Sequence, residues 1–184
     1  MYYSTKIFAS AGAGNNAAFT SSVWIGLINL AFTFVAIAFV DKAGRRPLLL
    51  VGTLLQTVAL GLVGWMFHQG QSGTALLLCI ILFIAAFSMA IGPIAWLFCS
   101  EIFPNKIRGR ALAVASFCLW IANFLVSQTF PMIDENPWLK AKFNHGFPFY
   151  LYAAFCVVLV WIVVKFVPET KGRTLEEIEQ HWRL

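Results

Sequence analysis

The sequence predicts an all-α membrane protein: a bundle of six helices, the first of them only partly present. Three observations predict it. Between Ala17 and Val167 almost all the charge is confined to three short strips, Asp41-Lys-Ala-Gly-Arg-Arg46, residues 100–110 and Pro168-Glu-Thr-Lys-Gly-Arg173. A charged side chain at mid-bilayer costs about 2.5–3.5 kcal/mol on insertion scales, so charge collects where the chain stays wet. The chain is 60% hydrophobic and only 11% charged, whereas soluble domains carry about 25% charge. The apolar runs are also too continuous for barrel strands, which alternate over about 10 residues. They have the length of helices that satisfy their own backbone in lipid, about 20 residues.

Taken in order, residues 1–11 read as the outer end of a helix whose beginning is absent, too short to cross a bilayer alone. Residues 12–16 make a turn. Five complete spans follow, at 17–40, 47–68, 74–103, 107–133 and 147–167, so that a transmembrane bundle occupies 1–167. Gln69-Gly-Gln-Ser-Gly73 is a tight loop, and residues 134–146, bounded by Pro137 and Gly146, form a longer polar one. The third complete span contains Gly92-Pro93 and should kink there, because proline removes a backbone donor and glycine loosens the turn. Such kinks in transporters mark a substrate path or a gate; a kink tolerated for packing is the alternative. Residues 168–184 form a polar tail, in which Thr174 and Glu177 make a capping box for a short helix over 175–182.

Loop charges set the orientation. Ten of the 13 Lys and Arg residues lie in the strips or with Lys165 and Arg183, leaving Lys6, Lys140 and Lys142 on the opposite side. The positive-inside rule places the strips and the C-terminus in the cytoplasm. The net charge of +5 therefore encodes topology and predicts no nucleic-acid partner. Cys79, Cys99, Cys118 and Cys156 lie within apolar runs without paired spacing and read as packing residues, with no disulfide framework or metal site. No cleavable signal peptide and no cofactor is expected.

Few polar groups lie inside the spans. Asn29 is in the first complete span, Asn123 in the fourth, and Trp96 follows the kink. An unpaired buried amide costs several kcal/mol, so each asparagine either bonds a neighbouring helix or faces a wet cavity. Trp120 and Asn123 are three apart and share a face. An aromatic surface beside an amide suits a sugar, whose C–H face packs on the ring while hydroxyls pair with the amide. Trp24, Trp65 and Trp138 sit near span ends as interfacial anchors. No enzyme is predicted: His68, His145 and His181 are far apart, no phosphate cradle is visible, and Ser100-Glu101 has no assignable base.

The strips carry a resemblance. Asp41 to Arg46 resembles the D-x-x-G-R-R/K loop of the major facilitator superfamily. Gly92-Pro-Ile-Ala-Trp96, running into Ser100-Glu101-Ile-Phe-Pro104 and Arg108-Gly109, is similar to the corresponding segment of the sugar porter family. Pro168-Glu169-Thr170-Lys171-Gly172 resembles the box after that family's last helix, and Met1-Tyr2-Tyr3 the end of its seventh-helix motif. Within the family the nearest group is the bacterial xylose–proton symporters.

The resemblance implies the C-terminal six-helix bundle of a twelve-helix transporter, with the complete spans as helices 8 to 12, in a bacterial cell membrane. It implies a monosaccharide substrate, an N-terminal six-helix bundle as partner, alternating access, and proton coupling through that other half; an uncoupled facilitator or a sugar sensor are the alternatives. The sugar-contacting positions it implies are Asn29, Phe87, Gly92, Trp96, Trp120 and Asn123, with Tyr2 at the outer gate. It also implies a cytoplasmic latch of Asp41, Arg45, Arg46, Glu101, Arg108 and Glu169, whose cross-helix pairs would hold the inner side closed; the plainer reading is that they fix topology and start helices. Leu119 stands where relatives often carry Gln or Asn, and Ser88 where animal glucose facilitators have Glu.

Overall fold

Glycine and proline divide the described residues into seven helices. A computed structural model describes residues 15–71, 73–103 and 107–172. Among these, the helices are α1 (Asn15–Ala43), α2 (Arg45–His68), α3 (Thr74–Met89), α4 (Ile91–Ile102), α5 (Arg108–Asp134), α6 (Pro137–Phe143) and α7 (Phe147–Phe166), with no strand. Among the described residues five spans are long and apolar enough to cross a membrane: α1 from Val23, α2, α3 and α4 end to end, α5, and α7. The expected partial helix at 1–11, Tyr2 and the tail helix at 175–182 lie outside the described residues.

The hub is α2. Half of its apolar spanning window is buried inside the bundle, against 11% in α1 and none in α5. Its principal neighbours are α7 and α3, and α1 packs mainly on α3. Small residues make this possible, as in membrane bundles generally, where close backbone approach replaces the missing hydrophobic drive. A Cβ on Gly52 would collide with the Cβ of Ala90 and lie 3.2 Å from the Ala86 carbonyl oxygen. One on Gly64 would lie 3.1 Å from the Tyr150 ring and 3.2 Å from the Gly146 carbonyl oxygen. Around these crossings sit two apolar clusters. The larger joins Leu60, Val63 and Phe67 of α2 to Leu76, Ile80, Ile84, Phe130 and Phe149, with Phe67 stacked on Phe149 at 5.2 Å. The smaller joins Leu48 and Leu49 to Ile94 and Val163 at the end where α2 begins.

Two sequence expectations need refinement. The third complete span is present as one crossing made of two helices, and its expected kink falls at Ala90, just ahead of Gly92-Pro93. A proline ring clashes with the carbonyl four residues before it, here that of Met89, but is tolerated in a helix's first turn, where its missing N–H would have no partner. Stopping α3 at Met89 and restarting at Ile91 satisfies both conditions. Ala90 takes φ −120° and ψ −79°, and its N–H is shared between the carbonyls of Ala86 (3.2 Å) and Phe87 (3.3 Å). The polar loop at 134–146 also contains a helix, α6. Asn136 caps it, its Oδ1 accepting from the N–H groups of Trp138 (3.0 Å) and Leu139 (3.3 Å), and Pro137 occupies the first turn. Asn144 ends it in the left-handed conformation, and Asp134 reaches across to His145 Nδ1 at 2.7 Å.

The tight loop after α2 closes that helix. Gly70, at φ +66°, donates to the Phe67 carbonyl (3.0 Å), and Gln71 donates to Met66 (2.9 Å). This crossed pair is the Schellman arrangement, which needs a residue at positive φ after the cap.

Candidate functional site

At the end of the bundle carrying the charged strips, helix termini meet and satisfy one another. The first turn of any helix leaves N–H groups without partners and carries a partial positive charge. In α2 those of Arg45 and Arg46 are taken by the Glu169 carboxylate, Oε1 at 3.1 Å and Oε2 at 3.2 Å, from the segment after α7. Glu169 Oε1 also accepts from the Lys171 N–H at 2.9 Å, which fixes its own turn. Gly44 admits this carboxylate: a Cβ there would lie 2.8 Å from Glu169 Oε2, and its φ of +93° suits glycine.

The reciprocal contact caps α7. The Val164 carbonyl would bond residue 168 if the helix continued, but Pro168 has no N–H. Arg46 Nη2 supplies the donor at 2.7 Å. Lys171 Nζ likewise donates to the Lys42 carbonyl in the last turn of α1. Each charge matches the sign of the helix end it meets.

One ionic cluster is built into the same corner. Arg45 Nη2 lies 3.1 Å from Glu101 Oε1 on α4 and 3.3 Å from Asp41 Oδ1 on α1. The other oxygen of Glu101, Oε2, accepts from the Thr170 hydroxyl at 2.6 Å. Thr170 is buried, and the Arg45 and Glu101 side chains are largely shielded, so their attraction is screened less than that of a surface pair.

The six expected latch residues therefore divide. Asp41, Arg45 and Glu101 come together as ions. Glu169 and Arg46 act instead on helix ends, pairing with main-chain groups. Arg108 Nε donates to the Phe103 carbonyl at 3.4 Å and makes no ion pair with another described residue.

The expected sugar-contacting residues lie on α1, α3, α4 and α5. Phe87 and Gly92 meet across the break, where a Cβ on Gly92 would fall 3.5 Å from the Phe87 carbonyl oxygen and 3.8 Å from its ring. Trp96 on α4 is 45% exposed and Trp120 on α5 is 62% exposed, with Asn123 beside it also exposed. Asn123 Nδ2 donates to the Leu119 carbonyl of its own helix at 3.2 Å. Asn29 on α1 is half-buried. Ser88 is buried, its hydroxyl turned back onto the Ile84 carbonyl at 2.8 Å.

Sequence reasoning missed Thr170 and Gly44, although both stand inside motifs it had singled out. The signal for Gly44 was its place between a helix end and two arginines. Nothing local marks Thr170, whose partner is 69 residues away.

Comparison with known proteins places this geometry. Residues 1–182 match the family model described as "Sugar (and other) transporter". The chain is 44% identical over 182 residues to the D-xylose-proton symporter of Escherichia coli (strain K12), covering 99% of this chain and 37% of that protein. It is 40% identical over 183 residues to the glucose facilitated diffusion protein of Zymomonas mobilis, covering 100% of this chain and 39% of that one. Its fold superposes on the crystal structure of a double-tryptophan XylE mutant with a TM-score of 0.92 at 45% identity, over 98% of this chain and 38% of that one. The chain thus spans well under half the length of the relatives it matches.

Proposed function

The chain belongs to the sugar transporter family, and from that premise we propose that it forms the C-terminal half of a monosaccharide transporter working by alternating access. The bundle packs against an N-terminal six-helix bundle in a bacterial cell membrane, with the charged strips and the C-terminus in the cytoplasm. The observation carrying this reading is the state of α5. It is a membrane-length helix, none of whose spanning window is buried in this bundle, and it leaves Trp120 and Asn123 exposed, as α4 leaves Trp96. A helix of that kind serves as the wall of a passage whose other side is built by the partner bundle. Its aromatic faces stack on a sugar ring, and Asn29, Asn123 and the partner bundle supply the hydroxyl contacts. Phe87 and Gly92 shape the wall at the α3–α4 break, and Tyr2 belongs to the outer gate.

The Arg45–Glu101–Asp41 cluster acts as the inner latch, and Glu169, Arg46 and Arg108 hold the helix ends that carry it. Rocking of the two bundles alternates access, and the latch opens when the inner side opens. Proton coupling fits the E. coli relative's name, and uncoupled diffusion that of the Z. mobilis relative. Uptake of labelled xylose or glucose into proteoliposomes, with and without an imposed pH gradient, separates them. In the full-length protein Trp96→Ala is expected to weaken sugar binding by about 1–3 kcal/mol, the scale of a lost aromatic contact in a pocket. Unchanged affinity by calorimetry would remove Trp96 from the site.

A further inference from the structure

One sequence pattern occurs twice, at the two ends of α7. Trp138-Leu-Lys-Ala-Lys142-Phe143 forms α6, and Trp161-Ile-Val-Val-Lys165-Phe166 closes α7. Both read W-x-x-x-K-F, and both fold the same way. Lys142 Nζ lies 5.2 Å from the Trp138 ring centre and 5.7 Å from that of Phe143. Lys165 Nζ lies 5.1 Å from Trp161 and 5.5 Å from Phe166. The spacing explains the likeness, since a residue four positions on sits over the first along a helix and the next residue flanks it. Each ammonium group is held between two rings, with both tryptophans and both lysines exposed. Neither lysine is ion-paired with a described carboxylate.

Their separation gives the pattern a meaning. The 20 residues of α7 span roughly 30 Å at 1.5 Å per residue, the thickness of the hydrocarbon core. One clamp therefore lies at each membrane–water boundary, where tryptophan rings settle among headgroups and lysine stems run outward to the phosphates. We propose that the two W-x-x-x-K-F clamps are docking points for the headgroups of acidic phospholipids, one in each leaflet. The rings fix the ammonium group in advance, so little side-chain freedom is lost when a phosphate arrives. The clamp at Lys165 is the stronger, because Arg46 reaches the neighbouring Val164 carbonyl and adds a second cation. At the other clamp Asp134, though engaged with His145, and Glu135 oppose the charge of Lys140 and Lys142.

The inference rests on α7 spanning the membrane and not on sugar transport, so its test reads lipid binding alone. The full-length protein in detergent is titrated with phosphatidylglycerol or phosphatidylcholine, and bound lipid is counted by native mass spectrometry. The wild type is expected to retain two more phosphatidylglycerol molecules than K142Q/K165Q. Each single Gln variant is expected to lose one, with binding about fivefold weaker per lysine removed, while K142R/K165R keeps both. Phosphatidylcholine binding should be lower and the same in every variant, and inorganic phosphate should displace neither lipid. Equal phosphatidylglycerol retention by wild type and K142Q/K165Q would overturn the assignment. So would a wild type that holds phosphatidylcholine as tightly, or displacement by free phosphate.

Discussion

Replacing Glu169 by alanine tests the capping of α2 from a distant segment. The substitution strips the acceptor from the N–H groups of Arg45 and Arg46 and from that of Lys171, held at 3.1, 3.2 and 2.9 Å. Loss of a side-chain N-cap costs about 0.5–2 kcal/mol, and loss of a charge from the positive end of a helix about 0.3–1 kcal/mol. Glu169 is half-buried and Gly44 beside it is buried, so water replaces only part of what is lost. Together these give about 2 kcal/mol. Glu169→Gln keeps an acceptor oxygen without the charge and should cost about half as much.

The assay is hydrogen–deuterium exchange on the full-length protein in detergent, read at the first turn of α2. A loss of about 2 kcal/mol confined to that turn raises its exchange roughly thirtyfold, while the Gly64 region stays protected. Unchanged exchange at Arg45 and Arg46 in the alanine variant would refute the cap. An exchange rate in the glutamine variant equal to that of wild type would remove the electrostatic part.

Gly52→Ala drives a methyl group into Ala90 at the α3 break and should cost up to about 3 kcal/mol of stability, with Ala90→Gly in the same chain restoring most of it in thermal unfolding. Thr170→Val is nearly isosteric but leaves Glu101 Oε2 without its described donor. It should lower stability by about 1–2 kcal/mol, and an unchanged melting temperature would show that water replaces the hydroxyl. Asn136→Ala removes the α6 cap and should cost about 1 kcal/mol, seen as faster exchange confined to residues 137–143.

The membrane-length helices were legible because charge is excluded from them, and exclusion is a property of composition that needs no partner. The kink was expected but its place at Ala90 was not, because proline acts backwards along the chain and its clash falls on Met89. The helix at Pro137–Phe143 was readable in principle from Asn136-Pro137, a capping residue followed by a first-turn proline, but seven residues are too few to show a helical period. The charged residues were found, whereas their pairing was not. Glu169 meets the α2 main chain 124 residues away, and nothing in a linear pattern distinguishes a carboxylate that will grip an arginine side chain from one that will grip its backbone.

The seam in which Gly64 faces Gly146 joins two helices far apart in the order of synthesis. Roughly 100 residues separate the end of α2 from the end of α7, so at 5–20 residues per second the hub waits about 5–20 s for the neighbour it packs on most extensively. Throughout that interval the groove at Gly64 lacks the Gly146 and Tyr150 contacts it is shaped to make. A bulky residue at Gly64 would therefore register first as newly made chains cleared by membrane proteases, leaving fewer copies in the cell.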